Sequence, residues 1–168
     1  TGALYQVQFS IMKDTATLML DTSGPGLHKR GYRAVGNDAP LRETLAAGMV
    51  QLTRYRGRDF FWDPFCGSGT IPIEAALIAK NRAPGLTRAF AAEHFAWVDN
   101  TLFPRLRQEA PDREYQGDYR ILGSDNDPKC VSLSMANARK AGVGRLIQFR
   151  DADATKVNLP AQEGILVC

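Results

Sequence analysis

With 168 residues, 44% hydrophobic and 23% charged, the chain has the make-up of a globular protein with one buried core and room for a small appended module. No apolar run approaches the roughly 20 residues that span a bilayer and the N-terminus has no signal-peptide pattern, so a cytoplasmic protein without a membrane partner is expected. Cys66, Cys130 and Cys168 show neither CxxC nor CxH spacing, so no metal site and no disulfide framework is expected, and all three read as small buried hydrophobes. The net charge of +3 says little about nucleic acid. Its distribution says more: Lys29, Arg30, Arg33, Arg42, Arg54, Arg56 and Arg58 face only Asp38 and Glu43 between His28 and Arg58, which suits a phosphate backbone or an ordinary solvated face.

In chain order, residues 4–11 alternate apolar and polar, and Thr15 to Leu20 does so again, which predicts a β-hairpin with Met12-Lys13-Asp14 between its strands. Asp21 to Gly26 breaks the structure, and a basic, turn-rich linker follows to Ala39. Pro40 fits the first turn of a helix, with Asp38 or Ala39 just outside it. Leu41, Leu45, Met49 and Leu52 then recur at helical spacing, predicting an amphipathic helix to about Tyr55. Phe60-Phe61-Trp62 reads as a buried parallel strand, and Ile71 to Ala79 as a buried helix with Pro72 in its first turn. Residues 81–118, with Pro84, Pro104 and Pro111, read as a covering or functional insertion holding a short helix over 102–110. Tyr119 to Ser124 predicts a strand. Asp127-Pro128 is a helix cap followed by proline, and Gly142 stops that helix. Strands follow at Leu146 to Phe149 and Ile165 to Cys168, giving an α/β doubly wound, Rossmann-like order.

Ligands of such sheets sit beyond the carboxyl ends of the strands. The first strand end, Asp63-Pro64-Phe65-Cys66-Gly67-Ser68-Gly69-Thr70, is glycine-rich and opens a helix whose amides near Ser68 to Ile71 face a ligand. No lysine follows the glycines, which excludes a Walker loop, and Pro72 stands where a dinucleotide fingerprint needs a third glycine or alanine. Asp63 would repel a pyrophosphate but suits a cationic ligand, so S-adenosylmethionine is the expected cofactor. At the second strand end, Asp125, followed by Asn126, can accept both hydroxyls of a ribose, leaving Asp127 as the helix cap. At the third, Asp153 with the amide of Ala154 is expected to hold adenine, with Asp151 as the alternative.

With these residues placed, the sequence resembles the THUMP-associated RNA methyltransferases, especially bacterial enzymes that methylate guanine N2 in large-subunit ribosomal RNA. The matching stretches are Leu20-Asp-Thr-Ser-Gly24, Leu27-His-Lys-Arg-Gly-Tyr-Arg33, Ala39 to Ala46, Asp63 to Thr70, Gly123 to Pro128 and Asn137 to Gly142. The resemblance implies a class I methyltransferase core with an incomplete parallel sheet over residues 36–168. Before it, residues 1–35 would close a THUMP-like RNA-binding module with its hairpin. It further implies that Pro40 to Leu45 lies beside the methionine end of the cofactor. An Asn-Pro-Pro-Tyr type motif is expected directly after Cys168, so the chain reads as a fragment holding the cofactor half of the site and no catalytic residue.

The implied activity is methylation of an exocyclic base amine in RNA, with guanine N2 of 23S ribosomal RNA foremost. Adenine N6 methylation of DNA or RNA and a non-catalytic RNA-binding module are the alternatives, and Pro72 and Asp63 disfavour a nicotinamide oxidoreductase. Lys29, Arg30, Arg33, Arg54 and Arg56 are the expected RNA contacts, although Arg30 and Arg33 could brace the linker instead.

Overall fold

A computed structural model describes residues 3–33, 41–159 and 163–168. Strands β1 (Val7–Met12) and β2 (Thr15–Leu20) form the expected antiparallel hairpin, with Val7 opposite Leu20 and Met12 opposite Thr15. Its turn is tighter than the sequence suggested. Met12 completes the strand, and Lys13 and Asp14 turn the chain alone with φ of 50° and 59°, the left-handed pair that matches strand twist in a two-residue loop.

Helix α1 runs Glu43–Leu52, strand β3 Phe61–Asp63 and helix α2 Thr70–Lys80. The expected helix start at Asp38, Ala39 and Pro40 lies outside the described residues. The helix stops short of Tyr55 because Arg54 turns to a φ of 59°. Its predicted apolar stripe is buried only in part: Leu41 and Met49 pack against the core, but Leu45 and Leu52 are 57% and 86% exposed, while Glu43, Ala46, Ala47 and Val50 are buried. Helix α2, with buried Ala75, Ala76 and Ala79, has small side chains of its own, so α1 packs through its alanines and leaves its leucines outside. Pro72 sits in the first turn of α2, where its missing amide breaks no helical bond.

Strand β4 (Ile121–Asp125), helix α4 (Pro128–Lys140), strand β5 (Ile147–Asp151) and strand β6 (Ile165–Leu166) complete the order, after the short helix α3 (Leu102–Glu109). Helix α4 is capped as expected, the Lys129 amide donating to Asp127 Oδ1 at 2.8 Å, and Gly142 follows it at a φ of 75°. The four strands β5-β4-β3-β6 are all parallel. The chain runs from β3 outward through β4 to β5 and returns to the other side of β3, so the order switches there, beside the glycine turn. One face of the sheet presents Phe61, Ile121 and Ile147 to Val50, Tyr55, Ile73 and Ala138; Phe60, Trp62 and Leu122 form a separate cluster with Ala154 and Val157. This alternation is the period-2 consequence of strand geometry.

Residues 81–118 act as a cover. Arg88 donates to the carbonyls of Ser23 at 2.9 Å and Gly26 at 3.0 Å, and also to that of Pro25. Thr87 Oγ1 donates to the Arg30 carbonyl at 2.8 Å. Tyr5, just before the hairpin, lies 4.9 Å from both Phe95 and Trp97 and accepts the Ala96 amide on its hydroxyl at 2.9 Å. The insertion thus fastens the N-terminal segment to the α/β domain.

Candidate cofactor site

The turn from Asp63 to Thr70 leaves β3 at the switch point, and its amides are shared out unequally. Phe65 donates to Asp63 Oδ1 at 3.1 Å, Cys66 to the Ser124 carbonyl at 2.8 Å, Gly67 to Asp125 Oδ2 at 2.9 Å and Gly69 to the Cys66 carbonyl at 2.7 Å. Among the described residues, the amides of Ser68, Thr70 and Ile71 have no hydrogen-bond partner, and they stand at the start of α2, where the aligned peptide dipoles favour an anionic group. Gly67 at φ 52° and Gly69 at φ 81° adopt the left-handed region. A Cβ on Gly69 would also lie 2.9 Å from Ser134 Cβ, so glycine is needed there for approach as well as torsion.

Asp63 is 1% exposed, and its Oδ2 has no hydrogen-bond partner among the described residues. Burial pushes its carboxyl up to about 7, with the Asp125 charge adding to the effect and the Phe65 amide opposing it. A buried acceptor oxygen without a donor fits a cationic or N–H-bearing ligand group. Asp125 is held differently: Oδ2 takes the Gly67 amide and Oδ1 takes the Asp127 amide at 3.0 Å. A carboxylate has about four lone-pair sites, so each oxygen retains room for one more donor, the pattern that two neighbouring hydroxyls require. Asp125 is half-buried, and Asn126, Asp127 and Lys129 after it are exposed.

The structure therefore brings Asp63, Pro64, Phe65, Cys66, Gly67, Ser68, Gly69, Thr70 and Asp125 together. Within this set Phe65 is exposed, whereas burial pushes the Cys66 thiol up to about 12 and leaves it inert. The expectation of three buried cysteines is corrected: only Cys66 is buried, Cys130 reaches toward Asp127 Oδ2 near the start of α4, and Cys168 is exposed. At the end of β5, Asp151 faces Asp125 in the strand register, and just beyond it the Ala152 amide donates to the Asp125 carbonyl at 2.9 Å. Asp153 turns to its own loop, with Oδ1 accepting from the Thr155 amide and hydroxyl at 3.0 and 2.7 Å and Oδ2 facing Lys156 at 2.9 Å. Ala154 packs beside Phe60 and Trp62.

Two of the expected RNA-contacting arginines face inward. Arg30 reaches Glu74 at 3.4 Å, and Tyr32 donates to the same buried carboxylate at 3.0 Å. Arg33 pairs with Glu43 at 3.4 Å and donates to the Leu41 carbonyl at 2.8 Å and to Thr70 Oγ1 at 2.9 Å. The bracing alternative accounts for both side chains, which fasten the linker to α1, α2 and the glycine turn. Lys29, Arg54 and Arg56 are exposed and form no ion pair among the described residues.

Sequence reasoning missed Ser134 and Asn137, which reach the glycine turn from α4. Their signal was the spacing Val131, Ser134, Asn137 and Ala138, which places two polar residues on the buried stripe of one helix.

A parallel sheet with a glycine turn at its switch point, a buried acid before that turn and a second acid at the neighbouring strand end define a Rossmann-like nucleotide-type cofactor domain. Residues 30–168 match the family model described as UPF0020, RMKL-like, methyltransferase domain, and the chain belongs to that family. It is 45% identical over 168 residues to the Bacillus subtilis protein named "Putative RNA methyltransferase YpsC", covering 99% of this chain and 44% of that one. It is 40% identical over 171 residues to the ribosomal RNA large subunit methyltransferase K/L of Shewanella baltica, covering 98% of this chain and 24% of that protein.

Among solved structures, a Listeria monocytogenes protein described as a predicted N6-adenine-specific DNA methylase superposes with a TM-score of 0.92 at 45% identity, covering 99% of this chain and 44% of that chain. The structure described as "SMU.472, a putative methyltransferase complexed with SAH" gives 0.87 at 38% identity, covering 98% of this chain and 43% of that chain. The chain thus spans less than half the length of each of these relatives.

Proposed function

We propose that this chain is the S-adenosylmethionine-binding part of an enzyme that methylates an exocyclic amine of an RNA base, with guanine N2 of 23S ribosomal RNA as the target. The observation that carries the reading is the junction of two strand ends, where Asp125 accepts the Gly67 amide and keeps two acceptor positions free beside the unpartnered oxygen of Asp63. Asp125 holds the ribose hydroxyls, Asp63 meets the cationic end of the ligand, and the amides of Ser68, Thr70 and Ile71 face its carboxylate. Asp153 and Ala154, or Asp151 beside Asp125, take the adenine. When bound, the cofactor supplies a methyl group on a positively charged sulfur. The protein's task is then alignment of that methyl with the attacking amine, which is a positioning problem.

The relatives named for RNA methylation support RNA as the substrate. The hairpin supports an RNA-binding module closed by residues 1–35, of THUMP type by resemblance. Val7, Phe9, Ile11, Leu18 and Leu20 share one exposed face, and an apolar sheet face of that kind belongs against another layer. Exposed Lys29, Arg54 and Arg56 remain the proposed phosphate-binding residues.

The test is nucleoside mass spectrometry on ribosomal RNA treated with the intact protein and S-adenosylmethionine. N2-methylguanosine is the expected product. N6-methyladenosine in its place would move the assignment to adenine, the reading that the Listeria neighbour's name favours. A folded intact protein that failed to bind S-adenosylmethionine would leave only the non-catalytic alternative.

A further inference from the structure

The glycine turn is held from behind by one helix. Ser134 Oγ donates to the Gly67 carbonyl at 2.7 Å, and Asn137 Nδ2 donates to the Ser68 carbonyl at 2.9 Å. Both residues are buried, one turn apart on α4, the helix that begins just after Asp125. Resting on the cofactor reading above, we infer that Ser134 and Asn137 are positioning residues for the turn: Ser134 directs the Ser68 amide toward the cofactor, and Asn137 holds the closed shape of the turn beside it.

Peptide planarity links the two ends of each unit. In a trans peptide the carbonyl and the next amide point in opposite directions from one rigid plane. Turning the Gly67 carbonyl onto Ser134 therefore turns the Ser68 amide away from α4, and that amide is one of those without a partner among the described residues. Turning the Ser68 carbonyl onto Asn137 likewise aims the Gly69 amide the other way, where it closes onto the Cys66 carbonyl at 2.7 Å. Glycine has little torsional preference of its own at a φ of 52° or 81°, so peptide orientation at Gly67 and Gly69 has to come from outside the turn. Helix α4 provides it. Asp125, at the end of β4 just before that helix, takes the Gly67 amide, so the turn is held by β4 on one side and by α4 on the other.

The experiment measures S-adenosylhomocysteine affinity by isothermal titration for the intact protein and for two variants, with the melting temperature of each ligand-free protein alongside. Ser134→Ala deletes the donor and leaves the helix intact. Val131→Ala also destabilises α4 packing but touches no carbonyl of the turn. Losing one aimed donor should weaken binding about tenfold in Ser134→Ala, while Val131→Ala stays within about twofold whatever its melting temperature. Ser134→Ala binding within about twofold of wild type would overturn the inference, as would an equal loss in Val131→Ala, which would make the effect one of stability. If the wild-type protein itself fails to bind, the cofactor reading falls first and the clamp with it.

Discussion

The amide of Gly67 and the carboxylate of Asp125 lie 2.9 Å apart, joining the end of β3 to the end of β4 by one charge-assisted hydrogen bond. Asp125 is thereby oriented before any ligand arrives, since its other oxygen is taken by the Asp127 amide at 3.0 Å. Pre-orientation of this kind lowers the entropy lost on binding. If Asp125 holds the ribose hydroxyls as proposed, Asp125→Ala should weaken S-adenosylhomocysteine binding by roughly 100-fold, because two hydroxyl hydrogen bonds to the carboxylate would vanish together. Titration calorimetry reads this directly, and a loss below about threefold would remove Asp125 from the site.

Asp63 makes a prediction about pH. Its carboxyl is pushed up to about 7, mainly by burial, whereas an unfolded aspartate titrates near ~3.9. Between those values the native state holds a proton that the unfolded state has released. The group's contribution to stability is therefore greatest below about pH 4, falls as pH rises to about 7, and is level above that. The span corresponds to on the order of 4 kcal/mol as an upper bound. Asp63→Asn should flatten the slope of urea-unfolding free energy between pH 5 and pH 7.5. In the wild type, cofactor binding below pH 7 should release a proton, visible as a buffer-dependent binding enthalpy. An unchanged slope in Asp63→Asn would show that this carboxyl is not the titrating group.

What the sequence made legible was local. Asp127-Pro128 and Gly142 bound α4 by capping chemistry that needs no tertiary partner, and the structure places the cap as expected. Helix α1 was recognisable as a helix, yet only part of its buried side was: Met49 packs on the core, whereas Leu45 and Leu52 give way to the alanines that fit against α2. Arg30 looked like part of a basic surface since its carboxylate partner, Glu74, lies 44 residues away inside an apolar helix. The partner of Arg33, Glu43, stands in the same basic segment, but only the fold brings the two side chains together. Tyr5 and Trp97 stack although they lie far apart in the chain, a pairing invisible until the insertion folds against the N-terminal segment. Ser134 and Asn137 read as ordinary polar helix residues until the turn they hold was in place.

Glu74 ties the linker to the domain, and its removal should be felt in stability before function. It is 1% exposed, and burial raises its carboxyl's pKa while Arg30 and Tyr32 oppose the rise. Glu74→Ala would strand the Arg30 guanidinium and the Tyr32 hydroxyl in a buried setting, which costs about 3 kcal/mol or more when one partner of a buried pair is deleted. Glu74→Gln keeps an acceptor for Tyr32 and should cost less. Chemical denaturation of both variants checks the order. A Glu74→Ala loss below about 1 kcal/mol would mean that this ion pair is not stabilising.

The arginines can be separated by salt. Arg54 and Arg56 are exposed and lack carboxylate partners among the described residues, whereas Arg30 is engaged by Glu74. If Arg54 and Arg56 meet phosphates, each alanine substitution should weaken RNA binding. It should also reduce the slope of log affinity against log salt by about 0.7 to 0.9 for each phosphate that is no longer neutralised. Arg30→Ala should instead lower the unfolding midpoint and leave that slope unchanged, because a guanidinium held by an internal carboxylate releases no counterion from RNA. Fluorescence anisotropy with a ribosomal RNA fragment across a salt series distinguishes the two behaviours. Equal slopes for wild type, Arg54→Ala and Arg56→Ala would place the RNA elsewhere and leave this basic segment as a solvated face.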